Sequence, residues 1–476
     1  MAYRQGERQQ RCLFPESLDE YVTPEDPVRA YDAFVDALDL EALGMTWDTH
    51  QVGCPQYDPR VMLKILVYGC SYGIRSSRKL ERALYHNLSF IWLAGGLKPD
   101  FKTISRFRQE NRSALSQVLR QCARLCIELD LIEGNTLFVD GSKFRGNVSL
   151  NHLWTVERCQ RQLARAEQRI EEILAECEAV DEQEAEEGSL VALKDELNSQ
   201  QKLKARVDAV LEKLRSEGVE QVNTTDPESA RMHGRQGSHA GYNAQIVVDD
   251  QHGLIVHSDV VNDNNDLGQF AEQIDKANQT LGQPCQVACA DAGFSNAKEL
   301  EKTDAQGIEV VVPSSKQAHG KASGPFDKSR FRYVAQEDAY VCPAGTRLPF
   351  RRLNGQRGQR EYYPGRGVCS ACPHFGVCTP NETTGRKIIR DEHEALREKL
   401  AAQYQETSSQ AVFRRRKEKV ELPFGHLKRN LGVDSFLLRG LAGVRAEMSL
   451  LASCFNVTRL IGLLGTSGLI AKLSNL

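Results

Sequence analysis

At 476 residues and 41% hydrophobic composition, the chain is long enough for two to four domains of roughly 100–200 residues. A net charge of −3 argues against a uniformly basic nucleic-acid binder, and no run of eighteen apolar residues marks a membrane span. The N-terminal run MAYRQGERQQR is polar where a signal peptide is apolar, and most of the 14 cysteines stand singly on apolar stretches, which points to a reducing, cytoplasmic setting.

The charge is unevenly spread. Acidic residues crowd positions 171–187 and basic residues crowd 414–429, so a local polyanion site is expected on an otherwise neutral protein. Asp26-Pro27 opens a helix through Val28, Tyr31, Phe34, Val35 and Leu38, and Asp58-Pro59 opens another through Met62, Leu63, Ile65 and Leu66. Ser76 to Leu84 is basic and polar. Pro99-Asp100 then opens a helix predicted to run on to Leu129.

The texture changes at Asn135-Thr-Leu-Phe-Val-Asp140, a short apolar run that reads as a strand ending in an acid, followed by a loop over 141–149. Residues 154–217 carry apolar positions three, four or seven apart and predict an antiparallel helical hairpin turning near Gly188. Tyr242–Asp249 and Leu254–Val261 predict a strand hairpin around Asp250-Gln-His-Gly253. A helix (Leu267–Thr280), a strand ending in Asp291, a helix (Asn296–Thr303) and a strand (Ile308–Pro313) follow, and a long basic helical region begins near Asp391. Without its insertions this is a ribonuclease-H-like order, a mixed five-stranded sheet with helices on both faces. The predicted units are an all-helical domain (1–134), a ribonuclease-H-like core (135–312) holding the hairpin (153–220), a cysteine-rich insertion (313–386), a helix carrying Glu421 (387–435) and C-terminal helices (436–476).

Hydrolysis of a phosphodiester needs an activated water and a stabilised leaving oxygen. Two hard divalent ions held by carboxylates supply both. Asp140 and Asp291 end predicted strands, and ligands gather at strand carboxyl ends of such sheets. Glu421 is the third candidate, with Lys428 seven residues on; in an unbroken helix seven residues return to within about 20° of one face. Pro423 is expected to kink that helix.

Phe138-Val-Asp-Gly-Ser142, Asp226-Pro-Glu-Ser229, Gly241-Tyr-Asn-Ala-Gln245, Ala290-Asp-Ala-Gly-Phe294 and Glu421-Leu-Pro-Phe-Gly-His-Leu-Lys428 resemble, in order, segments of bacterial insertion-sequence transposases of the DDE class. Asp58-Pro-Arg-Val-Met-Leu-Lys64, Gly73-Ile-Arg-Ser76 and Thr103-Ile-Ser-Arg-Phe-Arg108 resemble their N-terminal helical domain. The resemblance implies metal-dependent cleavage of transposon ends and transfer of a 3′ end to target DNA. Asp140, Asp291 and Glu421 would hold two Mg²⁺ or Mn²⁺ ions, and Lys428 would contact DNA near the cut. One departure stands out: Phe413 takes the place of the family's tyrosine, and Lys417 rather than Arg416 keeps the family's arginine spacing to Glu421.

Cys342, Cys369, Cys372 and Cys378 offer four thiolates in a Gly- and Pro-rich stretch, the set of a structural zinc in a zinc-ribbon-like insertion; the stretch reads as too polar to build a core of its own. Arg414, Arg415, Arg416, Lys417, Lys428 and Arg429 form the best predicted phosphate-binding surface, and Arg75, Arg78, Lys79, Arg106 and Arg108 a second. The acidic hairpin would repel DNA and is expected to pair two chains as a homodimer. The competing readings are a transposase-derived DNA-binding or regulatory protein without turnover, and a zinc-dependent structural adaptor built on the coiled coil.

Overall fold

The computed structural model describes residues 17–45, 56–182, 187–218, 220–234, 237–319, 324–354 and 358–476; the polar N-terminal run and the connection within the helical hairpin lie outside them. Helix starts follow their caps. Asp26 accepts from Val28 N at 2.9 Å to open α1 (Pro27–Asp36), and Asp58 accepts from Arg60 N at 2.7 Å to open α2 (Pro59–Ser71). Proline at the first helical position needs no partner for a missing N–H. After α3 (Ser77–His86) and α4 (Leu88–Leu93), Asp100 caps α5 (Phe101–Glu110). The single helix expected from Asp100 to Leu129 is two. Asn111 turns its amide onto Phe107 O at 2.9 Å and separates α5 from α6 (Arg112–Glu128).

β1 (Thr136–Arg145) runs five residues past Asp140, so the loop expected there is strand. The cause is its partner, which pairs with it as far as Arg145↔Gly241. Only a glycine fits at 241, where a Cβ would collide with Phe144 O. β2 (Leu153–Thr155) leads into α7 (Val156–Glu182), and α8 (Glu187–Glu217) returns to β3 (Gln221–Asn223), which pairs with β2. The two helices of the expected hairpin are present, and the turn expected near Gly188 adjoins a connection that lies outside the described residues.

β4 (Ala230–Gly234), β5 (Gly237–Asp249) and β6 (Ile255–Val261) form the antiparallel half of the main sheet. α9 (Phe270–Leu281), β7 (Val287–Cys289), α10 (Ala297–Asp304) and β8 (Glu309–Val311) form the parallel half beside β1. The sheet has six strands rather than the expected five, because β4, missed in the sequence, adds to the start of β5. The mixed sheet and the helices before it match the expected class at that level.

After α11 (Ser315–Ala318), the strands β9 (Arg332–Val334), β10 (Ala339–Val341), β11 (Arg347–Asn354), β12 (Gln359–Tyr362) and β13 (Ile388–Arg390) make a second, antiparallel sheet. It has a core of its own, contrary to expectation: Phe331, Tyr340, Leu348, Tyr362 and Ile388 are buried together. Four aromatic and aliphatic strand residues separated by charged ones hide this core from a reading of average polarity.

α12 (Glu394–Gln403) and α13 (Thr407–Gly425) precede a π-helical turn at His426–Asn430, then α14 (Leu441–Leu464) and α15 (Thr466–Leu473). α13 continues through Pro423, and the winding change follows it as the π turn. α14 is long and apolar enough to cross a membrane, yet two thirds of that stretch is buried against the rest of the fold. Its Asn456, fully buried, clamps the edge of β6 by accepting from Ile255 N and donating to Ile255 O, both at 2.8 Å. One core unites the N-terminal helices, the main sheet, α13 and α14.

Candidate cation and DNA site

β7 pairs with β1 only as far as Phe138↔Cys289. From there to Arg145, where Asp434 and Phe436 pair with it, this edge of β1 has no strand partner among the described residues, and Asp140 stands on it. Asp291, two residues past the end of β7, is fixed by accepting from Gly293 N at 2.8 Å. α13 lies across this edge and drops Arg416 between the two acids: its Nη2 is 2.9 Å from Asp140 Oδ1 and 3.5 Å from Asp291 Oδ2. Burial pushes the Asp140 carboxyl up to about 6; Arg416 opposes that rise, while Asp291 and Asp266 add to it.

Asp266, on the segment before α9, is a residue the sequence reading missed. Its Oδ1 accepts from Asn243 Nδ2 and Gln245 Nε2, each at 2.7 Å. The available signal was two amides at alternate positions of an otherwise apolar strand, since buried amides need polar partners.

Glu421 does not join the pair. It is exposed, and at five residues from Arg416 it lies about 140° around α13. The face turned inward carries Val420, Phe424 and Leu427 instead. Among the described residues, no three His, Cys, Asp or Glu side chains stand at metal-holding distance. The expected common face for Glu421 and Lys428 fails because the π turn rewinds the chain between them. Lys428 turns inward, 2.6 Å from Ser142 Oγ and with its Nζ 4.6 Å from the centre of the Phe144 ring. It helps to line a cleft of about 600 Å³ with Lys143, Arg145, His239, Asn243 and Asp266.

The basic residues divide. Arg414, Lys417 and Arg429 are exposed, Arg415 pairs with Asp250 at 3.0 Å, and Arg416 belongs to the acids. Arg78, Lys79 and Arg106 are exposed. Arg75 and Arg108 are not on the surface as expected: Arg75 binds Glu447 at 2.6 Å and Ser435 O at 2.8 Å, and Arg108 is buried. Both sit where α3 and α5 meet the start of α14, so their charge serves the core. Asp226 and Glu228 of the Asp-Pro-Glu-Ser segment likewise bind backbone, accepting from Gly440 N and Leu441 N at the start of α14.

Cys342, Cys369, Cys372 and Cys378 are free thiols lining one cavity of about 20 Å³ under the second sheet, joined by His374. Thr346 N donates to Cys342 Sγ at 3.2 Å and Arg386 N to Cys369 Sγ at 3.4 Å.

Comparison with known families adds the deciding observation. Residues 16–110 match the family described as Transposase domain (DUF772), and residues 341–461 match Transposase DDE domain. The chain belongs to the insertion-sequence DDE transposases. No curated protein and no solved structure matched it. In this transposase, Glu421 and Lys428 fall inside the matched DDE stretch, while Asp140, Asp266 and Asp291 lie between the two matched regions.

Proposed function

We propose that this transposase is an active, metal-dependent DNA nuclease and strand transferase that cleaves transposon ends and joins them to target DNA. The observation that carries the reading is the convergence of Asp140, on β1, and Asp291, just past β7, on one cationic group. A carboxylate pair that already accommodates a guanidinium is a fitting donor set for a hard divalent ion. Two Mg²⁺ or Mn²⁺ ions, held by Asp140, Asp291 and Glu421, would supply an activated attacking oxygen and charge for the leaving one. Glu421 enters this set through its place in the last motif and must travel to reach it. Lys428, Lys143 and Arg145 line the adjoining cleft and would hold the strand's phosphates. Arg414, Lys417 and Arg429 extend that surface, and Arg78, Lys79 and Arg106 offer a second for the terminal repeats.

The outward position of Glu421 favours one alternative, a DNA-binding regulator without turnover. Purified chain incubated with terminal-repeat DNA and Mg²⁺ separates the two. The enzyme nicks the end, and Asp140→Asn and Asp291→Asn abolish nicking while still shifting the DNA. Binding without any nicking by the unsubstituted chain selects the regulator.

The four cysteines fit a structural Zn²⁺ by their chemistry: soft thiols around one small cavity, two of them accepting backbone N–H bonds. Zinc there would hold the second sheet together and take no part in the reaction. The helical hairpin would pair two chains so that two DNA ends are held at once.

A further inference from the structure

We propose that Asp266 is a fourth carboxylate of the cation site, serving beside Asp291 at the open edge of β1. This rests on Asp140 and Asp291 being cation ligands. The backbone makes room for the Asp266 side chain on two sides. A Cβ at Gly141 would fall inside van der Waals contact of Asp266 Oδ1, so the residue after Asp140 admits this carboxylate only as glycine. On the other side, the place where Gly293 would carry a Cβ is 2.8 Å from Asp291 Oδ1 and 3.9 Å from Asp266 Oδ2. The two acids thus face one small volume.

Two buried amides point to a ligand there. Gln245 and Asn243 are 0% and 1% exposed, and each spends its NH₂ on Asp266 Oδ1. Their carbonyl oxygens, Gln245 Oε1 and Asn243 Oδ1, are buried and unpartnered. An unmet buried oxygen costs roughly 1–3 kcal/mol, and amide oxygens are hard donors suited to a hydrated divalent ion.

The test is Mn²⁺ binding to the full-length chain without DNA, read by electron paramagnetic resonance. Asp266→Asn keeps the shape and an acceptor for both amides. Its Mn²⁺ affinity is expected to fall about tenfold or more, with the melting temperature held. Unchanged binding in Asp266→Asn, alongside loss in Asp140→Asn, overturns the role of Asp266 and leaves the Asp140–Asp291 reading standing. No Mn²⁺ on the unsubstituted chain, or no effect of Asp140→Asn, overturns that reading itself. Iron-directed cleavage of the unsubstituted chain (Fe²⁺ with peroxide) is independent of any variant's folding: cuts are expected near 140, 266 and 291, and their absence near 266 sinks the proposal.

Discussion

Arg416 and Asp140 form an ion pair at 2.9 Å across the open edge of the sheet, with the arginine side chain 11% exposed and the acid 19%. Asp291 lies on the same guanidinium at 3.5 Å. Removing one partner of such a pair leaves a charge with little water around it, and the loss exceeds the value of the contact itself. Arg416→Gln should therefore cost about 3 kcal/mol, somewhat less than a fully buried pair would. Arg416→Gln combined with Asp140→Asn should recover most of that loss, because the stranded charge is gone. Urea unfolding of the four chains of the cycle measures the coupling. A coupling near zero would mean that the arginine is not what holds Asp140.

The cysteine cluster makes a metal prediction. The purified chain should contain one zinc by elemental analysis, and Cys372→Ser should lose it. Because Phe331, Tyr340, Leu348, Tyr362 and Ile388 form a core without help, that variant should loosen the second sheet rather than unfold the chain. Hydrogen exchange is the readout: faster exchange confined to residues 331–390, with the main sheet protected as before. Full zinc content in Cys372→Ser would remove this cysteine from the ligand set.

Asn456 offers a stability test far from the cations. It satisfies both backbone groups of Ile255 from a fully buried position. Asn456→Leu leaves an N–H and a carbonyl unpaired in the core, at roughly 1–3 kcal/mol each. A loss of about 3 kcal/mol in urea unfolding is expected. A loss under about 1 kcal/mol would mean that the strand edge finds other partners.

His257 predicts a pH dependence. It lies on β6 near Asp259, Lys276 and Glu272, and burial pushes its imidazole down from 6.5 to about 4, Asp259 opposing the fall. The folded chain thus binds fewer protons here than the unfolded one. Stability from this group is complete above pH 6.5 and drains away as pH falls towards 4, by up to about 3 kcal/mol. His257→Gln should flatten that limb between pH 7 and 5. An unchanged slope in the variant would assign the acid sensitivity to other groups.

Much of the architecture was legible because it rests on short-range chemistry. Asp26, Asp58 and Asp100 announce helix starts, each with an acceptor for an early backbone N–H. Asp291 was legible as an acid next to a strand end and Asp140 as an acid on a strand, though that strand runs on past it. Asp266 was not, because its surroundings are polar and its partners, Asn243 and Gln245, sit on a strand whose register relative to β1 no local pattern states.

The chain's own chemistry, read residue by residue, determined the helix caps and most of the strand runs. Tertiary structure alone decided which charges meet. It placed Arg416 between Asp140 and Asp291, turned Glu421 outward and Lys428 inward through a π turn, and sank Arg75 and Arg108 beneath α14. The reason is range. A cap or a strand run is settled among neighbours a few residues apart, whereas the facing of a charged side chain depends on helix phase and on packing between segments hundreds of residues apart, which a pattern of types does not encode locally.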